Sequence, residues 1–279
     1  MPGCLRLSIS GLLRTVENSV SLGINNVVIF PAIDDSLKTD DAKECFNPQG
    51  LIPRAFRAVK EAFPEVSIMS DVALDPYSSM GHDGLVSSDG KILNDESVAV
   101  LVKQALCQAD AGVDIVGPSD MMDGRVGAIR AALDTAGYTD VSIMSYTAKY
   151  ASAYYGPFRG ALDSAPKFGD KKTYQLNPAN VREALIEAKL DEEEGADILM
   201  VKPAGAYLDI IAKLRENSNL PIAAYQVSGE YLMIKAAAAS GWLDEEKVMC
   251  ESLLGIRRAG ADMILSYFAP AFAEVYNRG

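Results

Sequence analysis

Short runs of consecutive apolar residues recur along the chain and alternate with longer stretches in which apolar and polar positions follow a helical spacing. Runs that are apolar throughout, rather than at every second position, are typical of parallel strands buried on both faces. The pattern therefore predicts seven strands, at residues 27–30, 66–72, 114–116, 141–145, 197–201, 221–227 and 263–268.

The longer stretches between these runs predict helices. Three of them reach Gly112, Gly195 or Gly260 just before the next predicted strand, and glycine commonly ends a helix at such a position. The predicted helices span 94–111, 180–195, 208–217 and 244–260. Loops are predicted at 34–53, 75–91 and 154–178.

Repeated alternation of strand and helix predicts an α/β fold, either a TIM (β/α)8 barrel or an open doubly wound sheet. Polar residues gather just after the apolar runs, among them Asp71, Ser119, residues 146–149 and Lys202. In a barrel these positions form the C-terminal mouth, where catalysis takes place. No GxGxxG motif follows the first strand, which weighs against a dinucleotide-binding sheet. Residues 1–279 are therefore predicted to form a single catalytic barrel domain.

The composition and net charge of the chain argue against some classes of binding partner. The chain has 279 residues, of which 49% are hydrophobic, and a formal net charge of −12. Such an acidic protein is not expected to bind nucleic acid or an anionic membrane as its main partner. No apolar run reaches the length of a membrane span, and no signal peptide is expected at the start. Four cysteines without a CxxC pair indicate a reducing compartment, either the cytoplasm or the plastid stroma.

Two lysines carry the strongest chemical signal. Lys202 directly follows the apolar run 198–201, and Lys149 follows the run 141–145 at a short distance. Burial lowers the pKa of a lysine and frees its amine as a nucleophile, and a second nearby ammonium lowers that pKa further. Two such amines suit imine chemistry with one or two carbonyl substrates. For either residue alone, an ordinary lysine whose side chain extends to solvent is the favoured interpretation. For the pair, a solvent-exposed role and a nucleophilic role are equally favoured.

An acidic segment follows the second predicted strand. Asp71, Asp75 and Asp83 are candidate oxygen ligands for a hard cation such as Mg²⁺, although aspartates also cap turns. His82 is the only histidine, which excludes multi-histidine zinc sites and a Ser-His-Asp triad built on any other histidine.

Three cations stand out in the loop after Lys149. Arg159, Lys171 and Lys172 are candidates to hold a substrate carboxylate beneath a lid, although ordinary loop charge also explains them.

Several longer motifs together resemble the 5-aminolevulinate dehydratase (porphobilinogen synthase) family in order and spacing, from Met1 to about Ala273. The motifs are DVALDPY at 71–77, PSDMMDGRV at 118–126, MSYTAKY at 144–150, FGDKKTYQ at 168–175, VKP at 201–203 and YQVSGEY at 225–231. The resemblance implies a TIM barrel that condenses two 5-aminolevulinate molecules into porphobilinogen, with release of two waters, in heme and chlorophyll biosynthesis. It implies that Lys202 forms the imine with the first-bound substrate and that Lys149 is the second Schiff-base lysine.

The same resemblance implies roles for polar residues around the two lysines. Arg159 and Lys171 are implied to hold the carboxylate of one substrate. Ser228 and Tyr267 are implied to hold the carboxylate of the other, and Asp71 and Ser119 to contact the amino side of the first substrate.

The resemblance also bears on metals. Zinc-dependent members carry cysteines at the positions of Ala73, Asp75 and Asp83, and none is present here, so no zinc is expected. The chain resembles the magnesium-responsive branch of plants, algae and many bacteria. Glu187 matches the ligand of an allosteric Mg²⁺, while Asp75 and Asp83 are candidates for an active-site metal. A solvated helix face explains Glu187 equally well.

The family's N-terminal arm and first barrel strand would precede Met1, in agreement with the count of seven strands. Because that arm wraps a neighbouring subunit in the family's octamer, self-association is expected here as an octamer or a smaller assembly. Two alternatives remain open from the residues. One is an aldolase-type barrel with a single imine lysine, and the other is a non-catalytic assembly or regulatory protein.

Overall fold

Seven of the strands form one parallel sheet whose spatial order follows the chain, from β1 through β2, β5, β6, β7 and β8 to β9. The computed structural model describes residues 1–158, 166–167 and 169–279. A two-stranded antiparallel hairpin, β3 with β4, lies outside this sheet. The strands are β1 (Asn26–Ile29), β2 (Ser67–Val72), β3 (Leu85–Val86), β4 (Ile92–Leu93), β5 (Ile115–Pro118), β6 (Ser142–Lys149), β7 (Ile198–Lys202), β8 (Ile222–Gln226) and β9 (Met263–Ser266).

Helices connect successive strands of the sheet, as parallel pairing requires. Several begin at side-chain caps; Asp244, for example, accepts a hydrogen bond from the Lys247 N–H at the start of α8. The described helices are α1 (Ile9–Ser21), α2 (Leu51–Ala62), α3 (Asn94–Asp110), α4 (Arg125–Thr135), α5 (Arg182–Glu193), α6 (Leu208–Asn217), α7 (Ser228–Ala239), α8 (Glu245–Ala259) and α9 (Ala269–Asn277).

Both faces of the sheet are buried, which explains why the strands are apolar throughout. Met144, Tyr146 and Met200 belong to an inner cluster that gathers side chains from β1 to β9, so the sheet curls around them. Leu199 and Val201 belong to a larger outer cluster that packs against the helices. Alternate residues of each strand thus contribute to the two clusters.

The curled sheet confirms the predicted α/β class and barrel architecture, with seven parallel strands in the described residues. β1 and β9 stand at its two ends, and a cavity of about 630 Å³ lies between them. All seven predicted strands are present, with boundaries shifted by a few residues. No described helix combines the length and the apolar character that crossing a bilayer requires.

Three local expectations were wrong. Residues 146–149, predicted to follow a strand that ends at Ser145, are the second half of β6. The predicted loop 75–91 contains β3, and the predicted loop 34–53 contains two short 3-10 turns and the start of α2. The helices α1, α2, α4, α7 and α9 had not been predicted.

Candidate active site

The carboxyl ends of the parallel strands bring most of the predicted site residues to one mouth of the sheet. Asp71 lies on β2, Ser119 follows β5, and Lys149 and Lys202 are the last residues of β6 and β7. Their side chains line one small cavity of about 40 Å³. The remaining lining residues are Phe30, Asp75, Asp83, Tyr155, Phe158, Lys171 and Gln175. The larger cavity between β1 and β9 is mainly apolar, so the candidate chemistry is concentrated in the small one.

The two lysines are direct partners across the sheet. Lys149 pairs with Lys202 in the register of β6 and β7, and residues paired in a parallel ladder point to the same face. Only 6% of Lys149 and 7% of Lys202 is exposed to solvent. This pairing brings the two amines into one pocket.

Lys202 lies among aromatic rings. Its Nζ is 4.6 Å from the ring centre of Tyr225, 5.1 Å from that of Tyr146 and 5.5 Å from that of Phe158. Burial lowers the pKa of Lys202 to about 7, and the charge of Lys149 contributes to the same shift. A substantial fraction of this amine is therefore uncharged, and nucleophilic, near neutral pH.

Lys149 is held by oxygen acceptors. Its Nζ donates a short hydrogen bond to the Ser119 carbonyl and lies 3.4 Å from Oδ2 of Asp83. These contacts fix the direction of the Lys149 side chain toward the pocket.

Asp83 lies at the centre of a buried ion network. Its Oδ1 is 2.8 Å from Nζ of Lys171, which also lies 3.1 Å from Oδ2 of Asp75. Burial would raise the pKa of Asp83, but the ammonium groups of Lys149 and Lys171 outweigh it and hold that pKa well below its usual range. The same carboxylates keep the pKa of Lys171 raised despite its burial.

The positive charge between Asp75 and Asp83 is thus a lysine. Both carboxylates, predicted as ligands of an active-site metal, are paired with the Lys171 ammonium group in this structure. In the described part of the chain, no three His, Cys, Asp or Glu side chains converge in a way that would hold a metal ion.

Asp71 has the properties of a proton-exchanging group. Burial, followed by the charge of Asp75, raises its pKa to about 6, while a hydrogen bond from Ser119 opposes the shift. Lys149 and Lys202 both influence this carboxyl electrostatically. A carboxyl group with such a pKa can accept a proton and return it near neutral pH.

Ser228 and Tyr267 border the same mouth. Ser228 is the buried first residue of α7, and its Oγ accepts a hydrogen bond of 3.1 Å from the Phe158 N–H. Tyr267 follows β9 and hydrogen-bonds to Tyr225. In this structure both hydroxyls therefore support the aromatic residues around Lys202.

Two further predicted residues are Arg159 and Glu187. Arg159 is outside the described residues. Glu187 lies on α5, in the helical layer, and does not line the small cavity. Burial and the charge of Asp191 raise the pKa of Glu187, and Arg125 opposes that shift.

Sequence reasoning missed the aromatic surroundings of Lys202 and the support of the segment after it. The buried Glu230 carboxylate accepts hydrogen bonds from the Gly205 N–H at 2.6 Å and the Val227 N–H at 2.7 Å. It thereby ties the end of β7 to the start of α7. Tyr146 stands in the motif at 144–150 and Tyr225 in the motif at 225–231, so these two motifs were the available signal.

We expect Asp83→Asn to lower the free energy of unfolding by about 3 kcal/mol, because it leaves buried ammonium groups without their central counter-charge. Asp83 has a lowered pKa in the folded state, so its stabilisation is present above the unfolded pKa of about 4 and is lost as pH falls. The difference from wild type should therefore shrink in acid. Urea unfolding at several pH values measures this difference in the free energy of unfolding.

The matched control for that measurement is Asp89→Asn, which removes an exposed carboxylate paired with Lys91. This change should alter stability by less than about 0.5 kcal/mol. Equal losses in the two variants would contradict the central role of Asp83 in the network.

The fold and the site together define a class: α/β barrel proteins that carry two lysines in one pocket at the C-terminal ends of adjacent strands. The model of the delta-aminolevulinic acid dehydratase family matches residues 1–275, and the chain belongs to this family.

Named relatives are similar over nearly the whole chain. The chain is 66% identical over 275 residues to the chloroplastic delta-aminolevulinic acid dehydratase of Physcomitrium patens, covering 98% of this chain and 64% of that protein. It is 64% identical over 276 residues to the chloroplastic enzyme of Oryza sativa subsp. japonica, covering 99% and 65%. The chain thus spans slightly less than two thirds of the length of these relatives.

A solved structure is similar as well. The delta-aminolevulinic acid dehydratase (porphobilinogen synthase) of Toxoplasma gondii ME49, in complex with the reaction product porphobilinogen, superposes with a TM-score of 0.98 at 56% identity. The match covers 99% of this chain and 79% of that one. This similarity supports the barrel architecture described above.

Proposed function

We propose that the chain condenses two molecules of 5-aminolevulinate into porphobilinogen with loss of two waters, a step of heme and chlorophyll biosynthesis. The observation that carries this proposal is the pairing of Lys149 and Lys202 across adjacent strands in one pocket. Membership of the family and the product bound to the similar Toxoplasma gondii enzyme support it.

Lys202 is the proposed nucleophile toward the first substrate. Its uncharged amine attacks the ketone carbon, and the resulting carbinolamine loses water to give an imine. When protonated, that imine is a cation, and the faces of the Tyr225, Tyr146 and Phe158 rings favour a cation at this position. The aromatic residues therefore stabilise the state in which the adjacent carbon is most acidic.

Lys149 is the proposed second nucleophile, and it forms an imine with the other substrate by the same addition and loss of water. Asp71, with a pKa of about 6, is suited to remove a proton from the carbon beside one imine. The enamine formed in this way attacks the other imine carbon. The free amino group of a substrate then adds to the remaining imine carbon and expels one lysine. Elimination of the other lysine, together with loss of a ring proton, leaves the aromatic pyrrole and both amines free.

The carboxylates of the two substrates need separate partners. We assign one to Lys171 and Arg159 and the other to Ser228 and Tyr267, as the family resemblance implies. Lys171 is suited to this role because it lines the cavity and carries a stable positive charge.

The test is a colour assay for porphobilinogen on the purified full chain, with 5-aminolevulinate and with or without Mg²⁺. Product in either condition supports the proposal. Its absence in both conditions, from protein shown to be folded, would favour the non-catalytic alternative. Borohydride added with substrate should leave a covalent adduct on Lys202, identified by peptide mass spectrometry, and turnover without any adduct would contradict the scheme.

We further propose that Glu187 binds an accessory Mg²⁺. Asp191, Asp123 and Glu183 add negative charge around it, and one carboxylate with retained waters is a usual environment for this ion. No step of the reaction is assigned to the metal.

Mg²⁺ should therefore stabilise the wild type, by about 2.7 kcal/mol at a concentration one hundred times its Kd. Glu187→Gln should abolish this stabilisation, measured by thermal unfolding with and without the ion. Glu193→Gln, at an exposed position of the same helix, is the control and should retain it. Retained stabilisation in Glu187→Gln would place the metal elsewhere.

We also propose that residues 1–279 act as one catalytic domain in the plastid stroma and self-associate. The chloroplastic names of the moss and rice relatives favour the stroma over the cytoplasm. Exposed apolar side chains on α5, Ile186 and Leu190, favour contact with another subunit.

A further inference from the structure

Strand β6 changes register before it reaches Lys149. Ser145 pairs with Leu199 of β7, whereas Ala148 pairs with Val201. Three steps along β6 therefore correspond to two along β7, which is a β-bulge of one extra residue.

The bulge reverses the direction of every side chain after it. Met144 and Tyr146 point into the inner cluster. Thr147 and Ala148 then both point outward, since Thr147 contacts α5 and Ala148 belongs to the outer cluster. Lys149 consequently points inward, beside Lys202. In a regular strand the alternation set by Met144 would direct Lys149 toward the helices.

One carboxylate holds the outward side of this bulge. Oδ2 of Asp191, on α5, accepts a hydrogen bond of 2.6 Å from Ser145 Oγ and another of 2.7 Å from Thr147 Oγ1. Asp191 is only 2% exposed, and hydrogen bonds to a buried ionised acceptor are strong. The two hydroxyls therefore stay on the same face, on either side of the inward Tyr146.

The charge of Asp191 is balanced by a buried arginine. Arg125 Nη1 lies 3.6 Å from Oδ1 of Asp191, and its Nη2 donates to Ser145 Oγ at 3.3 Å. Arg125 Nε also lies 3.7 Å from Oδ2 of Asp120, the residue after Ser119. The Ser119 carbonyl is the acceptor of Lys149 Nζ, so this network contacts both the strand that carries the amine and the loop that receives it.

We propose that Asp191, acting through Ser145 and Thr147, is a positioning residue that turns Lys149 into the pocket. One part of this proposal, that Lys149 acts as a nucleophile, rests on the function proposed above. The geometric part, that the hydroxyl contacts hold the bulge, is independent of any reaction.

Thr147→Val tests the proposal, because valine keeps the shape and β-branching of threonine and removes only the hydroxyl. Peptide mass spectrometry after borohydride trapping with 5-aminolevulinate measures the adducts on Lys149 and Lys202 separately. We expect the Lys149 adduct to form at least about tenfold more slowly, since small misplacements of a reacting group have effects of this order. The Lys202 adduct should change by less than about twofold, and Thr147→Ser should restore the Lys149 adduct.

Ser70→Ala is the matched control. Ser70 is a buried hydroxyl on β2 that hydrogen-bonds to the side chain of Gln108 on α3, and β2 pairs regularly with its neighbours. Its removal should affect stability without changing the ratio of the two adducts. Ser145→Ala provides a second test variant in case Thr147→Val does not fold.

A crystal structure of Thr147→Val makes the test independent of catalysis. We expect β6 to lose the one-residue shift and Lys149 Nζ to leave hydrogen-bonding distance of the Ser119 carbonyl and Asp83. An unchanged bulge, an unchanged Lys149 adduct or an equal loss at both lysines would overturn the positioning role. If the wild type forms no adduct while the variant loses the bulge, the proposed function fails and the geometric inference stands.

Discussion

Lys202→Met is expected to reduce porphobilinogen formation by about 10⁴-fold or more, the scale on which loss of a covalent nucleophile acts. Methionine is similar in length and apolar, so it should fit among the rings that surround Lys202 Nζ and leave the fold intact. Without the amine no imine forms at this position, and the substrate carbon beside the carbonyl stays weakly acidic. Product formation and the borohydride adduct at residue 202 should therefore be lost together.

Lys189→Met is the control for this experiment. Lys189 lies exposed on α5 and pairs with Glu193. This variant should retain wild-type activity and the adduct on Lys202. Substantial product from Lys202→Met, with a melting temperature equal to that of the wild type, would show that Lys202 is not the nucleophile.

Lys149→Met is expected to lose product formation by about 10³-fold while the adduct on Lys202 persists. The first imine should still form, because Lys202 retains its aromatic surroundings. The second substrate then lacks its own nucleophile, so condensation stops. Near-wild-type activity in this variant would instead favour an aldolase-type barrel with a single imine lysine.

The same variant has a second consequence, for the pH dependence of trapping at Lys202. The uncharged amine reacts, so in the wild type the trapping rate should rise with pH around the pKa of about 7. Burial is the main cause of that low pKa and the charge of Lys149 is the next. Removing this charge makes protonation of Lys202 easier and raises its pKa. The midpoint of the pH–rate profile should therefore move upward, and a downward shift would contradict the electrostatic coupling.

Much of the barrel was predictable because its signals are local. Parallel strands covered on both faces are apolar at most positions, and this property marked all seven of them. Helices without a clear helical spacing of apolar residues, such as α4 (Arg125–Thr135), were missed. The positions at which such a helix is apolar depend on the strands against which it packs. The same applies to the hairpin β3–β4, whose two-residue strands are too short to show a period.

The candidate site was predictable in composition and less so in arrangement. The lysine motifs identified Lys149 and Lys202, yet Lys149 was predicted to follow its strand, and it is the last residue of β6. The apolar run stops at residue 145 because Ser145 and Thr147 face a buried carboxylate instead of the apolar outer cluster. Likewise Asp75 and Asp83 were predicted to hold a metal ion, and in the structure Lys171, which is 96 and 88 residues further along the chain, lies between them.

For the two lysines, local sequence was sufficient to establish their presence at the ends of buried strands, within motifs that define a family. Their direction and protonation depend on contacts between residues far apart in the chain. Asp191 holds the bulge that turns Lys149 inward, and rings from β6 and β8, together with Phe158, enclose Lys202. Burial and charge act through space, so the pKa of about 7 at Lys202 exists only once the curled sheet and its loops surround it.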